Sequence, residues 1–336
     1  MGGYFVKIES GIERRGRQYN QRMKLIQQSF QIEKQLAGNR LDQALQRLLP
    51  DYSRSRIQQW IQQGFVCINQ EQCKPRQKVF SGDLVVLDVP EQNQISDLPQ
   101  AVEFAILYED EDLFVIDKPA NLVVHPAAGH RDGTLVNGLL ARDPRLEQLP
   151  RAGIVHRLDK DTTGIMVVAR NLRAHSWLVE QLQARLVRRE YVAIAQGVIT
   201  AGRRIETGIA RHPQNRKKMA VAERGKTAIT HFQVARKFGH YSLIRLQLET
   251  GRTHQIRVHM AYINHPLLGD AVYGGRMRIP AGADDELVAV IRGFKRQALH
   301  AERLGFMHPR SREPVSFEAP LPRDFRQLLD ALEQHD

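Results

Sequence analysis

Apolar residues first recur at helical spacing at Leu41, Leu45, Leu48 and Leu49, the one-sided period that predicts an amphipathic helix. Pro50-Asp51 ends that helix, and Ser53 offers an N-cap to a second one with Ile57, Trp60 and Ile61 as its apolar face. Strand-like runs follow at 65–68 and 84–88, beside the turn signals Asn69 and Gly82-Asp83. A polar stretch without period occupies 91–100, and beyond it the pattern changes. Strand-like runs stand at 113–117, 165–169, 191–196 and 241–248, several of them rich in β-branched residues. Asn171 is placed to cap a helix over 172–187, with Leu172, Trp177, Leu178 and Leu182 among its apolar residues. Thr253 is placed to cap another that runs to about residue 262. Strands outnumber helices and do not alternate regularly with them, which predicts an α+β fold rather than a doubly wound parallel sheet.

This pattern divides the chain into a basic arm over 1–37, a small folded unit over 38–90, a linker over 91–100 and a larger unit over 101–330. Arg14, Arg15, Arg17, Arg22 and Lys24 supply the charge of the arm, and Met23 offers a second start within it. No internal repeat or low-complexity tract is evident. At 42% hydrophobic residues the chain has enough apolar surface for a substantial core. Forty-nine Lys and Arg against 37 Asp and Glu leave a formal charge of +12. That surplus favours a polyanionic partner, although charge alone fits nucleic acid, an anionic membrane or a solvated surface. No apolar run reaches the ~18 residues of a membrane span. The first residues lack a signal-peptide core, and Val6 stands where myristoylation needs Ser or Thr. A cytoplasmic monomer is the default expectation. The two cysteines, Cys67 and Cys73, cannot alone build a disulfide framework or a four-ligand zinc site. Cys67 reads as a small hydrophobe within Phe65-Val66-Cys67-Ile68.

The most reactive-looking segment is Gly153-Ile154-Val155-His156-Arg157-Leu158-Asp159-Lys160-Asp161-Thr162-Thr163-Gly164. It gathers two cations, a histidine and two carboxylates in a turn-rich stretch just before a strand, where functional groups tend to sit. A charged surface loop with internal ion pairs would have the same composition. Arg54 and Arg56 occupy the first turn of the second helix, a poor place for cations by the dipole argument. They suit a phosphate, or belong to an ordinary solvated face. Three other signals carry less. Ala220, Gly225, Lys226 and Thr227 fall one glycine short of a phosphate-binding loop. His254 and His259, five apart on a predicted helix, diverge by about 140° and do not form a metal pair. Asp159 and Asp161 invite a two-carboxylate glycosidase reading, but no carbohydrate-stacking aromatic platform accompanies them.

Arg40-Leu41-Asp42, the run from Ser53 to Ile61 and the strand through Val66 and Asn69 resemble the S4 RNA-binding domain. The segment His156-Arg157-Leu158-Asp159 with Thr162-Thr163-Gly164 resembles the signature of the RluA-type pseudouridine synthases. Leu248-Glu249-Thr250-Gly251-Arg252-Thr253-His254-Gln255-Ile256-Arg257 agrees with it, as do Arg189-Glu190-Tyr191, Asp117-Lys118-Pro119 and His265-Pro266-Leu267-Leu268-Gly269-Asp270, all in the family's order. Arg189 stands where the family often has Lys. The resemblance implies a mixed, mainly antiparallel catalytic sheet with flanking helices behind a small α/β S4-like domain. It implies isomerisation of uridine to pseudouridine without metal or cofactor. Asp159 would be the nucleophile, Arg257 its ion-pair partner, and Tyr191 and Ile256 the residues on either side of a flipped uracil. Arg157 would fill the gap the base leaves, His156 and Arg252 would complete the substrate contacts, and Arg40, Arg54 and Arg56 would bind RNA. The implied partner is 23S ribosomal RNA, at the intersubunit-bridge stem-loop, or a precursor of the large subunit. A synthase for another large-subunit site, or a non-catalytic assembly factor that binds RNA, is the alternative.

Overall fold

A computed structural model describes residues 25–49, 54–126, 130, 132–280 and 282–335, apart from 91–97. The chain divides into two compact units with the boundary after Gln94.

In the first unit, β1 (Leu25–Gln31) precedes α1 (Leu41–Leu48) and α2 (Arg54–Gln62), and β2 (Val66–Ile68), β3 (Glu71–Gln72) and β4 (Leu84–Pro90) follow. The four strands form an antiparallel sheet in the order β1-β4-β2-β3. Leu41, Leu45, Ile57, Trp60 and Ile61 are all buried and pack with Val66, Val85 and Leu87, so both expected helical faces are core faces. Pro50, Asp51 and Ser53, expected to end one helix and cap the next, lie outside the described residues. The expected arm over 1–37 needs a correction. Residues 25–31 form β1, in continuous register with β4 from Leu25↔Pro90 to Gln31↔Leu84. Gln27, Gln28, Ser29 and Gln31 leave β1 without an apolar alternation, so its order comes from the ladder of its neighbour rather than from its own pattern. The arginines of the expected arm lie outside the described residues.

The second unit runs β5 (Ala105–Glu109), β6 (Leu113–Lys118), α3 (Leu135–Arg142), β7 (Thr163–Ala169), α4 (Leu172–Gln183), β8 (Arg188–Gln196), β9 (Arg203–Arg211), β10 (Met219–Val221), β11 (Lys226–Phe238), β12 (Tyr241–Leu248), α5 (Gln255–Tyr262), α6 (Asp285–Gly293), β13 (Leu299–Met307), β14 (Pro314–Glu318) and α7 (Arg323–Gln334). Ten strands make one sheet in the order β10-β9-β11-β12-β8-β13-β7-β6-β5, with β14 on β13. Among the described pairings only β13 with β7 is parallel, and the fold is α+β as expected. The predicted runs at 113–117, 165–169, 191–196 and 241–248 are the bodies of β6, β7, β8 and β12. Every residue of β7 is buried, because the sheet is covered on both faces there. Leu98 and Gln100, at the end of the expected linker, are instead tied to Asn137 of α3.

Asn171 caps α4 as expected, its side-chain oxygen accepting the Ala174 N–H at 2.9 Å. Leu172 is exposed, so the apolar face of α4 rests on Leu178 and the half-buried Leu182. The cap of α5 is His254, not Thr253, and it adopts a left-handed backbone with φ 57°.

One row of the sheet carries the residues that matter below. Gly164 pairs with Ala301, Ala301 with Tyr191, and Tyr191 with Leu246. Gly164 has φ +114°, and a Cβ there would overlap the Ala301 carbonyl, so both conformation and space require glycine. Gly164→Ala is expected to destabilise the second unit by about 2 kcal/mol or more, measured by denaturant unfolding.

Candidate active site

Strand β7 is entered by a segment that sends its side chains in different directions. Leu158 is buried in the main core and pins the segment, Arg157 is exposed, and Asp159 turns into a cavity. The Thr162 N–H donates to the Asp159 carbonyl at 3.1 Å, closing a turn directly after the carboxylate. His156 Nε2 accepts the Val167 N–H at 3.1 Å, which requires that nitrogen to be unprotonated. Burial, with the Arg189 charge acting the same way, pushes the imidazole down to about 3. His156 lines the cavity, but this ring nitrogen is spent on the backbone of β7.

Arg257, in the first turn of α5, meets Asp159 with Nη1 at 2.9 Å from Oδ2. Its bidentate face goes elsewhere: Nε and Nη2 donate to the two oxygens of Asp270 at 2.7 and 2.9 Å. Arg257 thus pairs with Asp159 as expected, through one bond. Asp270 also accepts the Val272 and Tyr273 N–H groups, and its side chain is fully buried. Burial would raise the Asp270 carboxyl, but Arg257 and those amides outweigh it and hold it below the usual carboxylate range. Burial likewise opposes the charge on Arg257, and the two carboxylates overcome it and raise its pKa. The Arg257 guanidinium also lies 5.1 Å from the Tyr273 ring centre, over its face. Gln255 sets the start of α5, accepting from Thr250 Oγ1 and the Arg252 N–H and donating to the Ile229 carbonyl and Thr230 Oγ1.

Asp159, Arg257, Tyr191, Ile256, His156, Arg157 and Arg252 all line one cavity of about 830 Å³. Every residue expected at the catalytic or substrate position is thus brought together. Tyr191 and Ile256 are nearly fully buried. Burial, with Asp159 acting the same way and Arg189 opposing, raises the Tyr191 hydroxyl above its ordinary pKa. The wall is basic: Arg151, Arg185 and Arg189 join Arg157 and Arg252 there. His125 reports that field, pushed down to about 4 by burial and then by Arg151 and Arg157. Arg252 is exposed and donates from Nε to the Thr227 carbonyl at 3.0 Å. Arg189 is buried and donates to the Glu249 carbonyl at 3.1 Å, bracing the turn that leads to α5.

Two buried charged residues bonded to Arg257 or to the Asp159 segment had no assigned role in the sequence. Asp270 sat in a matching motif, yet nothing local marks it as the bidentate partner of Arg257. Lys118 is the other: its side chain is fully buried and Nζ donates to the Pro119, Leu122 and Lys160 carbonyls at 2.7, 3.0 and 2.9 Å. Burial pulls it down to about 7 against the pull of Asp161 and Asp159.

In the first unit Arg40 and Arg54 converge on Asp42, with Nη2 of each 2.8 and 3.0 Å from Oδ2, and Gln58 donates to the same oxygen. The carboxylate is fully buried, while about a third of each arginine side chain remains exposed. Burial would raise the Asp42 carboxyl, but Gln58, Arg40 and Arg54 outweigh it and hold it low. The Arg56 side chain lies outside the described residues. His254 and His259 diverge as expected: His254 bonds the Tyr273 hydroxyl at 2.9 Å, and His259 sits between the Thr230 and Thr207 hydroxyls.

Residues 112–262 match the RNA pseudouridylate synthase family, and residues 39–85 match the S4 domain. The chain is 51% identical over 298 residues to a ribosomal large subunit pseudouridine synthase D of Xylella fastidiosa, covering 89% of this chain and 90% of the relative. It is 52% identical over 310 residues to the protein of that name from Pseudomonas aeruginosa, covering 92% and 97%. Among solved structures, human RNA pseudouridylate synthase domain containing 4 aligns with a TM-score of 0.55 at 26% identity, covering 68% of this chain and 93% of that one.

Removing the two carboxylates that share Arg257 should have unequal effects. Asp270→Ala strips a buried guanidinium of its bidentate partner and is expected to cost about 3 kcal/mol or more. Asp159→Ala leaves that pair intact and is expected to cost less than about 1 kcal/mol. Urea unfolding of the two variants beside the parent protein measures the difference.

Proposed function

The chain belongs to the RNA pseudouridylate synthase family and carries an S4 domain ahead of its catalytic unit, and from that premise we propose that it isomerises uridines of 23S ribosomal RNA with Asp159 as nucleophile. The observation that carries this is the placement of the Asp159 carboxylate, 2.9 Å from a buried arginine, in the same cavity as Tyr191. Pseudouridine formation breaks the N1–C1′ bond, turns the uracil and makes a C5–C1′ bond. The C5 hydrogen leaves to solvent and N1 takes up a proton, so nothing is oxidised and no group is imported. A carboxylate held ready to attack suits such a reaction. The Arg257 guanidinium donates to Asp159 Oδ2 and gives the carboxylate a cationic partner inside the cavity. Arg257 gives Nε and Nη2 to Asp270, and Asp159 accepts from Nη1 alone.

The reacting base has to leave its stack, at a cost of a few kcal/mol. Tyr191 and Ile256 are the apolar surfaces between which a uracil ring is proposed to sit. The hydroxyl of Tyr191, whose pKa burial raises, is proposed to exchange a proton with the base. Arg157, which is exposed and lines the cavity, is proposed to enter the space left in the RNA stack. Arg151, Arg185 and Arg252 give the wall the charge that backbone phosphates need. In the S4 unit the exposed portions of Arg40 and Arg54 face outward from their shared Asp42, and with Arg56 they are proposed to grip structured RNA. The intersubunit-bridge stem-loop is the proposed site of action on the family resemblance alone, and a loop whose bases can be splayed suits such a site.

Tritium release from RNA labelled at uridine C5 tests the chemistry. The parent protein is expected to release tritium and Asp159→Ala to lose at least about 10³-fold in rate, with RNA affinity retained. Release by the alanine variant would remove Asp159 from the mechanism, and no release by either form would point to an RNA-binding assembly factor. Arg157→Ala is expected to slow reaction on a folded stem-loop more than on an unstructured oligonucleotide; equal rates would dismiss its proposed role. Pseudouridine mapping of ribosomal RNA from cells lacking the gene identifies the site.

A further inference from the structure

Asp159 is the end of a chain of restraints that starts outside the substrate cavity. Each of the four residues after it is held by a buried polar side chain from a distant part of the sequence. Lys118 donates to the Lys160 carbonyl at 2.9 Å, and Arg296 Nη1 to the Asp161 carbonyl at 3.3 Å. Gln297 Nε2 donates to Thr162 Oγ1 at 3.0 Å, and His300 Nδ1 lies 2.9 Å from Thr163 Oγ1. Lys118, Arg296, Gln297 and His300 are all buried. Arg296 is itself anchored, with Nε and Nη2 bidentate on Asp324 in the first turn of α7 at 2.7 and 2.9 Å.

A loop of this kind would ordinarily be held by its own backbone pairing. Here the turn after Asp159 contributes one backbone bond outside the sheet, from Thr162 N–H, Thr163 pairs with His300 as the start of β7, and buried side chains add the further restraint. Arg296 and Gln297 do not line the cavity that holds Asp159. Asp161, Arg296 and Asp324 line a second cavity, of about 760 Å³, with α6 and α7 residues. Asp159 thus lines one cavity and Asp161 the other, and α7 holds the loop through Arg296.

We propose that the Arg296-Gln297 segment, anchored to α7 through Asp324, is a positioning element that sets the Asp159 carboxylate for reaction without touching substrate. This rests on Asp159 being the nucleophile. A nucleophile must stand within a few tenths of an ångström of its productive place, and displacement by about 1 Å can cost about 10²-fold in rate. Gln297→Ala removes the hold on Thr162, and Asp324→Asn weakens the anchor of Arg296 while keeping its shape.

The test measures single-turnover tritium release, RNA affinity and amide hydrogen exchange in both variants. Gln297→Ala is expected to slow the single-turnover rate about 10- to 100-fold and Asp324→Asn about 3- to 10-fold, with RNA affinity within about 2-fold of the parent. The Thr162 amide, which donates to the Asp159 carbonyl, is expected to exchange at least about 10-fold faster in Gln297→Ala, while the amides of β5 and β6 stay unchanged. Parent-like rates and parent-like Thr162 exchange in both variants would overturn the proposal. So would a loss of RNA affinity in step with the rate, or faster exchange throughout the second unit. If the parent protein released no tritium, the assignment of Asp159 would fail, and the Thr162 exchange would still decide whether Arg296 and Gln297 restrain the loop.

Discussion

Arg257 is buried with two carboxylates in reach and divides its donors unequally, two bonds going to one of them and one to the other. Asp270 takes the two. Its oxygens are also bound by two backbone amides, so the Arg257–Asp270 pair is a rigid fixture rather than a mobile contact. Asp159 accepts from the remaining Nη1 and is the more exposed of the two acids. The division suits the nucleophilic role proposed for Asp159. One acid compensates the buried cation, and the other borrows its field without being locked in a symmetric ion pair. Burying a guanidinium is costly unless geometry and hydrogen bonding are good, and here the structural partner meets that demand.

The sheet brings these groups together from far apart in the chain. Asp159 precedes β7, Tyr191 lies on β8, and Arg257 follows β12. The row Gly164, Ala301, Tyr191 and Leu246 sets β7, β13, β8 and β12 in register around the cavity. The only parallel pairing among those described, β13 with β7, sits in that row, and a glycine is required where the strands come closest. A slip of one residue in β8 would turn Tyr191 to the opposite face. The geometry of the site is therefore a property of sheet register as much as of any loop.

Charge is arranged on the same principle in both units. In the first, Arg40 and Arg54 share the buried Asp42 and keep part of their side chains in water. Around the cavity, arginines with exposed side chains surround a nearly buried tyrosine and isoleucine. Apolar surfaces suit a base, and cations suit the backbone that carries it. The segment after Asp159 adds a different device: four buried polar side chains from elsewhere in the chain bind its residues.

Much of this was legible in the residues themselves. Helical spacing at Leu41, Leu45, Ile57 and Trp60 marked core faces, Asn171 announced its helix, and the ordered motifs around Asp159, Tyr191 and Arg257 named one site. Strand β1 escaped because glutamines give no alternation, and the cap of α5 escaped because a left-handed histidine has no sequence signature. Sequence by itself determined which chemical groups the protein carries and which short segments present them, since both depend on local composition and period. Only the tertiary structure decided that Arg257 spends its fork on Asp270 and that Arg296 and Gln297 hold the loop. Those choices are made between groups as much as 135 residues apart, where direction and distance depend on packing that no local pattern encodes.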